Sequence, residues 1–234
     1  MIVMAYRGVS RSLYVFTAIL LVSTRMAAQG YFLDRTGVTL EYVRTSVADG
    51  KFTWRHSVTI TGVTETGTHT RYSSESVFTK QNGKPLYRSA VIETTLVDRN
   101  SQDLSFDLGE AMASYVKARI GLNATSTSVL SVLPATLEPG DTLQSVAAYT
   151  KVGPLTYNVK VNERKVLRRE TVSVPAGTFD CIVVSENRAE TGPGHNRHVT
   201  NITWYSKGIG YVRHDTYING RLDTSEVLQS IKNQ

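Results

Sequence analysis

Gly210-Tyr211-Val212-Arg213-His214-Asp215-Thr216-Tyr217-Ile218-Asn219-Gly220-Arg221-Leu222-Asp223-Thr224-Ser225-Glu226-Val227-Leu228-Gln229-Ser230-Ile231 reads as two strands joined by a two-residue turn. A type I′ turn needs positive φ at both central residues, and Asn-Gly adopts that conformation at low cost. The same signal recurs twice upstream. Asp49-Gly50 separates Val38–Val47 from Lys51–Val63, and Asn82-Gly83 separates Thr70–Lys80 from Lys84–Val97. Between the turns the side chains alternate. Val38, Leu40 and Tyr42 stand against Thr39 and Glu41, and Trp54, His56, Val58 and Ile60 against Arg55, Ser57, Thr59 and Thr61. Tyr157, Val159 and Val161 alternate with Asn158 and Lys160, and Ile202 and Trp204 with Asn201 and Thr203. Period two with one polar face is the mark of half-buried antiparallel strands. The fold class expected is therefore all-β and mainly antiparallel: a curved sheet, half-open barrel or sandwich, with at most one or two short helices.

Asp107–Leu122 breaks the alternation. Met112, Tyr115, Val116, Arg119 and Ile120 have helical spacing, and Gly109 and Gly121 bound them, so one short helix is placed there. Asn123–Pro139 is rich in Ser and Thr; within it Leu130–Leu137 is too apolar for a flexible linker and reads as an extended connection inside one domain of residues 29–234.

The first 28 residues read differently. Arg7 and Arg11 precede the apolar run Leu13–Val22, and Arg25-Met26-Ala27-Ala28 follows it. A basic end, a short apolar run and small residues form a secretory signal peptide, cut near Ala28 or Gln29. A permanent span needs about 20 apolar residues, so no transmembrane span is expected after cleavage. Cys181 is the single cysteine in the chain. With no cysteine at the cut site, lipid anchoring is not expected, and no internal disulfide can form. The product is expected to be periplasmic or secreted. The whole chain has a formal charge of +6. Removing Arg7, Arg11 and Arg25 leaves 23 basic against 20 acidic residues, or +3. The densest basic cluster, Arg164-Lys165 with Arg168-Arg169, is bracketed by Glu163 and Glu170, and reads as a solvated strand edge rather than a nucleic-acid patch.

No nucleophile elbow, phosphate loop, dinucleotide fingerprint or His-Glu-x-x-His motif is present. His195-Asn196-Arg197-His198 follows Thr191-Gly192-Pro193-Gly194, and reads as a polar loop rather than a metal site. His56 lies on the apolar face of its strand and reads as a hydrogen-bonded core or rim histidine. His214 and Asp215 are adjacent, so in a strand they point to opposite faces and cannot form a relay. Cys181, in Phe179-Asp180-Cys181-Ile182-Val183-Val184, reads as a buried inert thiol. Asn123-Ala124-Thr125 and Asn201-Ile202-Thr203 match a glycosylation pattern and are assigned no function. No catalytic residue, metal ligand or cofactor is assigned, and no ligand-binding residue can be named. Aromatics such as Tyr42, Trp54, Phe78, Tyr87 and Tyr211 read as core and cross-strand pairs, with a ligand-lined concave sheet as the other reading.

Two C-terminal stretches carry a resemblance. Glu170-Thr171-Val172-Ser173-Val174-Pro175-Ala176-Gly177-Thr178-Phe179-Asp180-Cys181 and Trp204-Tyr205-Ser206-Lys207-Gly208-Ile209-Gly210-Tyr211-Val212-Arg213 resemble the TapB-like family of exported bacterial proteins of unknown function. Leu137-Glu138-Pro139-Gly140-Asp141-Thr142-Leu143 and Gly37–Tyr42 are similar to its turn and opening strand. The resemblance implies a curved antiparallel sheet in the cell envelope and implies no activity. The expected role is non-catalytic: binding or carrying a hydrophobic or envelope-derived component, a lipid, glycan or protein, through a concave face. Assembly of the envelope through a sheet edge is the alternative, and a hydrolase is the third.

Overall fold

A computed structural model describes residues 29–233; the expected signal peptide, residues 1–28, lies outside the described residues. The strands in chain order are β1 (Val38–Ser46), β2 (Phe52–Thr66), β3 (His69–Thr79), β4 (Val91–Asp98), β5 (Leu104–Asp107), β6 (Thr125–Ser128), β7 (Leu130–Leu133), β8 (Thr142–Leu143), β9 (Val146–Val152), β10 (Leu155–Val174), β11 (Gly177–Gly192), β12 (His195–Ser206), β13 (Gly210–Ile218) and β14 (Arg221–Asn233). Helix α1 (Leu108–Ile120) lies between β5 and β6. One antiparallel sheet runs β6-β9-β10-β11-β12-β13-β14-β1-β2-β3-β4-β5-β7, with β8 on β10. The all-β expectation holds, and the sheet is a nearly closed barrel.

One segment brings its two ends together. Thr125–Ser128 pairs with β9, and two residues later Leu130–Leu133 pairs with β5. Helix α1 fills the seam, touching β4 on one side and β6 and β9 on the other. It begins where the Asp107 carboxylate accepts from Glu110 N–H, an N-cap that satisfies an orphan donor. It ends at Gly121 in the left-handed conformation, whose N–H donates to the Lys117 carbonyl.

The turns behave as their residues dictate. Asn219 and Gly220 have φ of 50° and 74°. The hairpin expected after Asn82-Gly83 is interrupted, however. Lys80–Ala90 makes an excursion, and β4 joins β3 only from Val91, opposite Ser76. Pro85 has no N–H to donate to a ladder, and the segment doubles back with Leu86 N–H on the Phe78 carbonyl. The expected loop at 192–198 is a tight turn, since Gly192 pairs with His195 and β12 begins there.

The sheet curls strongly. On a flat sheet, backbones three strands apart stand about 14 Å from each other. Tyr211 on β13 and His56 on β2 are separated by β14 and β1, yet Tyr211 Oη lies 3.3 Å from His56 Nδ1. The face carrying both is therefore concave. Val38, Leu40, Tyr42, Val212 and Leu228 are buried in one cluster with Val183 and Trp204, and Leu133, Leu137, Val166, Ile182 and Val184 in a second.

Candidate functional site

Two places gather polar chemistry, at opposite ends of the strands. The first lies on the concave face, near the β1–β2 and β13–β14 turns. Register puts Arg44 opposite Glu226 on one side and Trp54 on the other, and Tyr42 opposite His56. Glu226, 6% exposed, is the hub. Its Oε2 lies 3.3 Å from Arg44 Nη1 and its Oε1 3.1 Å from His56 Nδ1. Tyr211 Oη is 3.5 Å from the same Oε1. Burial pushes the Glu226 carboxyl up, but the hydrogen bond with His56 and the Arg44 charge more than offset that and hold it below the usual range. An ionised carboxylate only accepts, so His56 Nδ1 is the donor. Arg44 also donates to Thr216 and Thr224. His214 on β13 faces the same way and shares a 2.9 Å hydrogen bond with Thr203; burial, then the Arg44 charge, brings its pKa down to about 4. Burial raises the Glu93 carboxyl, which Ser76 Oγ meets.

Rings fill the space between these groups. Tyr211 stacks on Tyr42 at 4.3 Å, His56 on Phe78 at 4.2 Å, and Phe78, Tyr87 and Tyr115 continue the row at 5.0 and 5.2 Å. The concave face expected to carry a ligand is thus packed with its own side chains. Three nitrogens in it are nonetheless sealed from solvent without a partner: Arg44 Nε, Trp54 Nε1 and His56 Nε2.

The second place is an open groove of about 700 Å³ at the other end, within the range of ligand sites. Its walls come from Arg169–Thr171, Thr178–Ile182, Ser206, Lys207 and Tyr31. All of these but Tyr31, Arg169 and Ile182 belong to the two C-terminal stretches that carry the resemblance. Arg169 donates to Glu138 and to the Leu137 carbonyl, and Asp180 accepts from Thr171. Lys207 Nζ sits 5.8 Å above the Tyr31 ring and makes no ion pair among the described residues. Close backbone approach builds this end. The Gly208 N–H donates to the Gly30 carbonyl at 2.8 Å, and a Cβ on Gly30 would lie 2.4 Å from the Gln102 carbonyl oxygen. The glycine-rich turn and Gln29–Gly30 thus dock the entering chain.

The sequence-assigned residues separate accordingly. His56 is the hydrogen-bonded histidine expected, and His214 and Asp215 do point apart. Asp215, wholly buried, takes Arg213 on both oxygens and Ser225 Oγ on one. His195 leaves the expected loop for a strand end, where it meets Glu190 at 3.0 Å, and His198 is exposed. Cys181 is 4% exposed, and burial, helped by Asp180 and Glu170, pushes its thiol up to about 12. The basic cluster does not stay together. Arg164 is 5% exposed, 3.5 Å from Glu186 and donating to the Gln144 carbonyl, because a bulge between Asn162 and Lys165 turns it inward. Arg168 and Arg169 pair with Glu170 and Glu138 nearer solvent. Arg44 and Glu226 were not singled out by local spacing. Their signal is a charge at the next inward position after Val38, Leu40 and Tyr42, and beside Leu228.

Among the described residues no helix is long and apolar enough to cross a membrane, and no group of three or more His, Cys, Asp or Glu could hold a metal ion. No curated protein matches the sequence. Two solved structures share the fold. One is a "putative exported protein with YmcC-like fold" from Bacteroides fragilis, at 22% identity and a TM-score of 0.70, covering 87% of this chain and 99% of that one. The other is a "putative lipoprotein" from Parabacteroides distasonis, at 18% identity and a TM-score of 0.69, with the same coverage. The stretches that resemble the TapB-like family fall inside a different family match, the DUF3108-like family, over residues 36–228. That span is most of the chain, and the protein belongs to the DUF3108-like family.

Proposed function

We propose that this chain is an exported, non-catalytic binding protein of the cell envelope, unlipidated, and periplasmic or secreted. It holds an amphiphilic envelope component, a lipid or glycan, in the groove beside Tyr31. The observation that carries the reading is that groove of about 700 Å³, walled by residues from both C-terminal stretches and offering ring, hydroxyl and charge together. Export is supported by the Arg7–Ala28 segment, by the resemblance to the TapB-like exported proteins, and by the descriptions of the two structures that share the fold. A non-catalytic role is supported by the state of the reactive groups. The Cys181 thiol is held protonated, and His56 is oriented by Glu226 in a face filled by its own rings.

The test is expression of the full chain with its own leader in a bacterial host. The expected result is soluble envelope-fraction protein cut near Ala28, carrying a non-protein adduct in native mass spectrometry. Thr178→Arg and Lys207→Glu, which fill the groove and reverse its charge, are expected to strip the adduct. An unmodified mass with nothing in a solvent extract, or an adduct indifferent to both substitutions, overturns the reading. A stoichiometric protein partner recovered instead replaces it with the assembly role.

A further inference from the structure

We infer that Gln29 is a modification site: freed as the first residue by removal of the leader, it closes to a pyroglutamate ring seated on Gly208. This rests on the export and cut proposed for the chain, because ring closure needs a free amine on Gln29. The observation is a cradle that a side chain would fill. A Cβ on Gly208 would lie 2.6 Å from Gln29 Cδ and 2.8 Å from its Oε1, closer than real Cβ atoms approach. Gly208 has φ of 71°, in the left-handed region, and its N–H donates to the Gly30 carbonyl at 2.8 Å. The Gln29 carboxamide thus takes the space of a side chain at 208. The neighbouring contacts limit where the leader can end. Gly30 is buried, with the Gln102 carbonyl where its own Cβ would stand, and Tyr31 and Leu33 are buried in the two main core clusters. A cut past Gln29 removes the group seated on Gly208. A cut after Ala28, at the end of the small pair Ala27-Ala28, keeps every one of these contacts and leaves Gln29 first.

The chemistry needs no second reactant. The α-amino nitrogen of Gln29 attacks its own Cδ, and a C–N bond forms in a five-membered lactam. The bond from Cδ to Nε2 breaks, and Nε2 takes the proton that the amine gives up and leaves as ammonia. Nothing is oxidised or reduced, and the chain loses the mass of one ammonia. The surroundings favour the neutral product. A free α-amino group has a pKa of about 8 and is mostly charged at neutral pH. Lys207, next to Gly208 in the chain, already brings a cation that makes no ion pair among the described residues, and Arg169 stands on the same groove wall. A further cation beside them is disfavoured. The lactam carries no charge, keeps one N–H donor and one carbonyl acceptor, and leaves Lys207 as the unpaired cation at the groove rim.

The test is the amino-terminal peptide of the full chain, expressed with its own leader, purified from the envelope fraction and mapped by mass spectrometry. The expected result is a peptide that begins at Gln29, weighs one ammonia less than its sequence and resists amine-labelling reagents. Gln29→Ala is expected to be cut at the same bond, to keep its full mass and to take the label. The seat is tested with pyroglutamyl peptidase, which must cut between the ring and buried Gly30. Release from the folded chain is expected to be at least about tenfold slower than from a synthetic peptide of the same first residues, since it needs local opening. Gly208→Ser, which puts an atom where the carboxamide lies, is expected to speed that release; if the variant does not fold, the comparison of the natural chain with the peptide decides. A full-mass Gln29 with a free amine overturns the inference, and so does release from the folded chain as fast as from the peptide. A first residue other than Gln29 overturns it together with the expected cut. A correctly cut chain that keeps its amine leaves export and the groove standing, and a cyclised chain without a non-protein adduct removes the groove reading alone.

Discussion

Two arginine–tryptophan pairs flank β14, one on β12 and β13 and the other on β1 and β2, and they are finished to different degrees. On β13, Arg213 lies over Trp204 at 4.6 Å and grips Asp215 with two nitrogens, at 3.0 and 2.6 Å. Ser225 completes Asp215, and Trp204 Nε1 donates to Glu170 at 3.3 Å. On the concave face, Arg44 lies near Trp54 at 4.9 Å and meets Glu226 through one nitrogen, at 3.3 Å. There the indole N–H, the Arg44 Nε and the second histidine nitrogen have nothing to bond. The same chemistry is closed in one place and open in the other. A closed pair contributes to folding, and an open one leaves buried donors unmet at a cost.

Breaking the closed pair should have the largest effect. Asp215→Ala removes a wholly buried carboxylate from Arg213, whose side chain is a third exposed and can turn to water, so the loss should lie below the roughly 3–5 kcal/mol of a fully buried pair. Urea unfolding measures it; a loss under about 1 kcal/mol would mean that the face tolerates an unmet charge and that the contrast is false. The next effect is a pH dependence on the open face. His214 titrates at about 4 when folded, against 6.5 ordinarily, because burial and Arg44 disfavour its charge. The unfolded chain therefore binds the extra proton first. Stability from this group is complete above about pH 6.5 and falls as pH drops toward 4, by up to about 1.4 kcal/mol per pH unit. Glu226, depressed below its ordinary value, adds a loss of the same sign in acid, while Glu93, raised, works the other way. His214→Gln should flatten the urea-midpoint profile between pH 6.5 and 4 without abolishing it.

What was legible follows from the range of the forces involved. Asn219-Gly220 announces its turn because the φ requirement is local, and Asp107 and Gly121 frame α1 for the same reason. Alternation gives faces reliably until a bulge intervenes. The one between Asn162 and Lys165 buried Arg164, and the one between Trp204 and Tyr205 put Tyr211 on the concave side. Nothing local predicts that Glu226 meets residues 182 and 170 positions away, Arg44 and His56. That meeting is a product of curl and closure, which depend on the whole sheet. The Lys80–Ala90 excursion was hidden behind a genuine turn signal, because Asn82-Gly83 does turn but does not start a paired strand.

The sharpest test of the contrast is also the smallest in size. Trp204→Phe and Trp54→Phe delete the same atoms from a ring that faces an arginine. In both, the loss of volume is alike in kind, though the 4% exposed Trp204 has more packing to lose. The difference between them is dominated by the indole N–H. At Trp204 it satisfies a carboxylate, and hydrogen bonds to charged groups are worth about 1.5–3 kcal/mol. At Trp54 it satisfies nothing within the chain, so its removal takes away a penalty as well as a ring, and the net change should stay within about 0.5 kcal/mol. Equal losses by thermal or urea unfolding would mean that Trp54 Nε1 already has a partner, and the open face would then be as closed as the other.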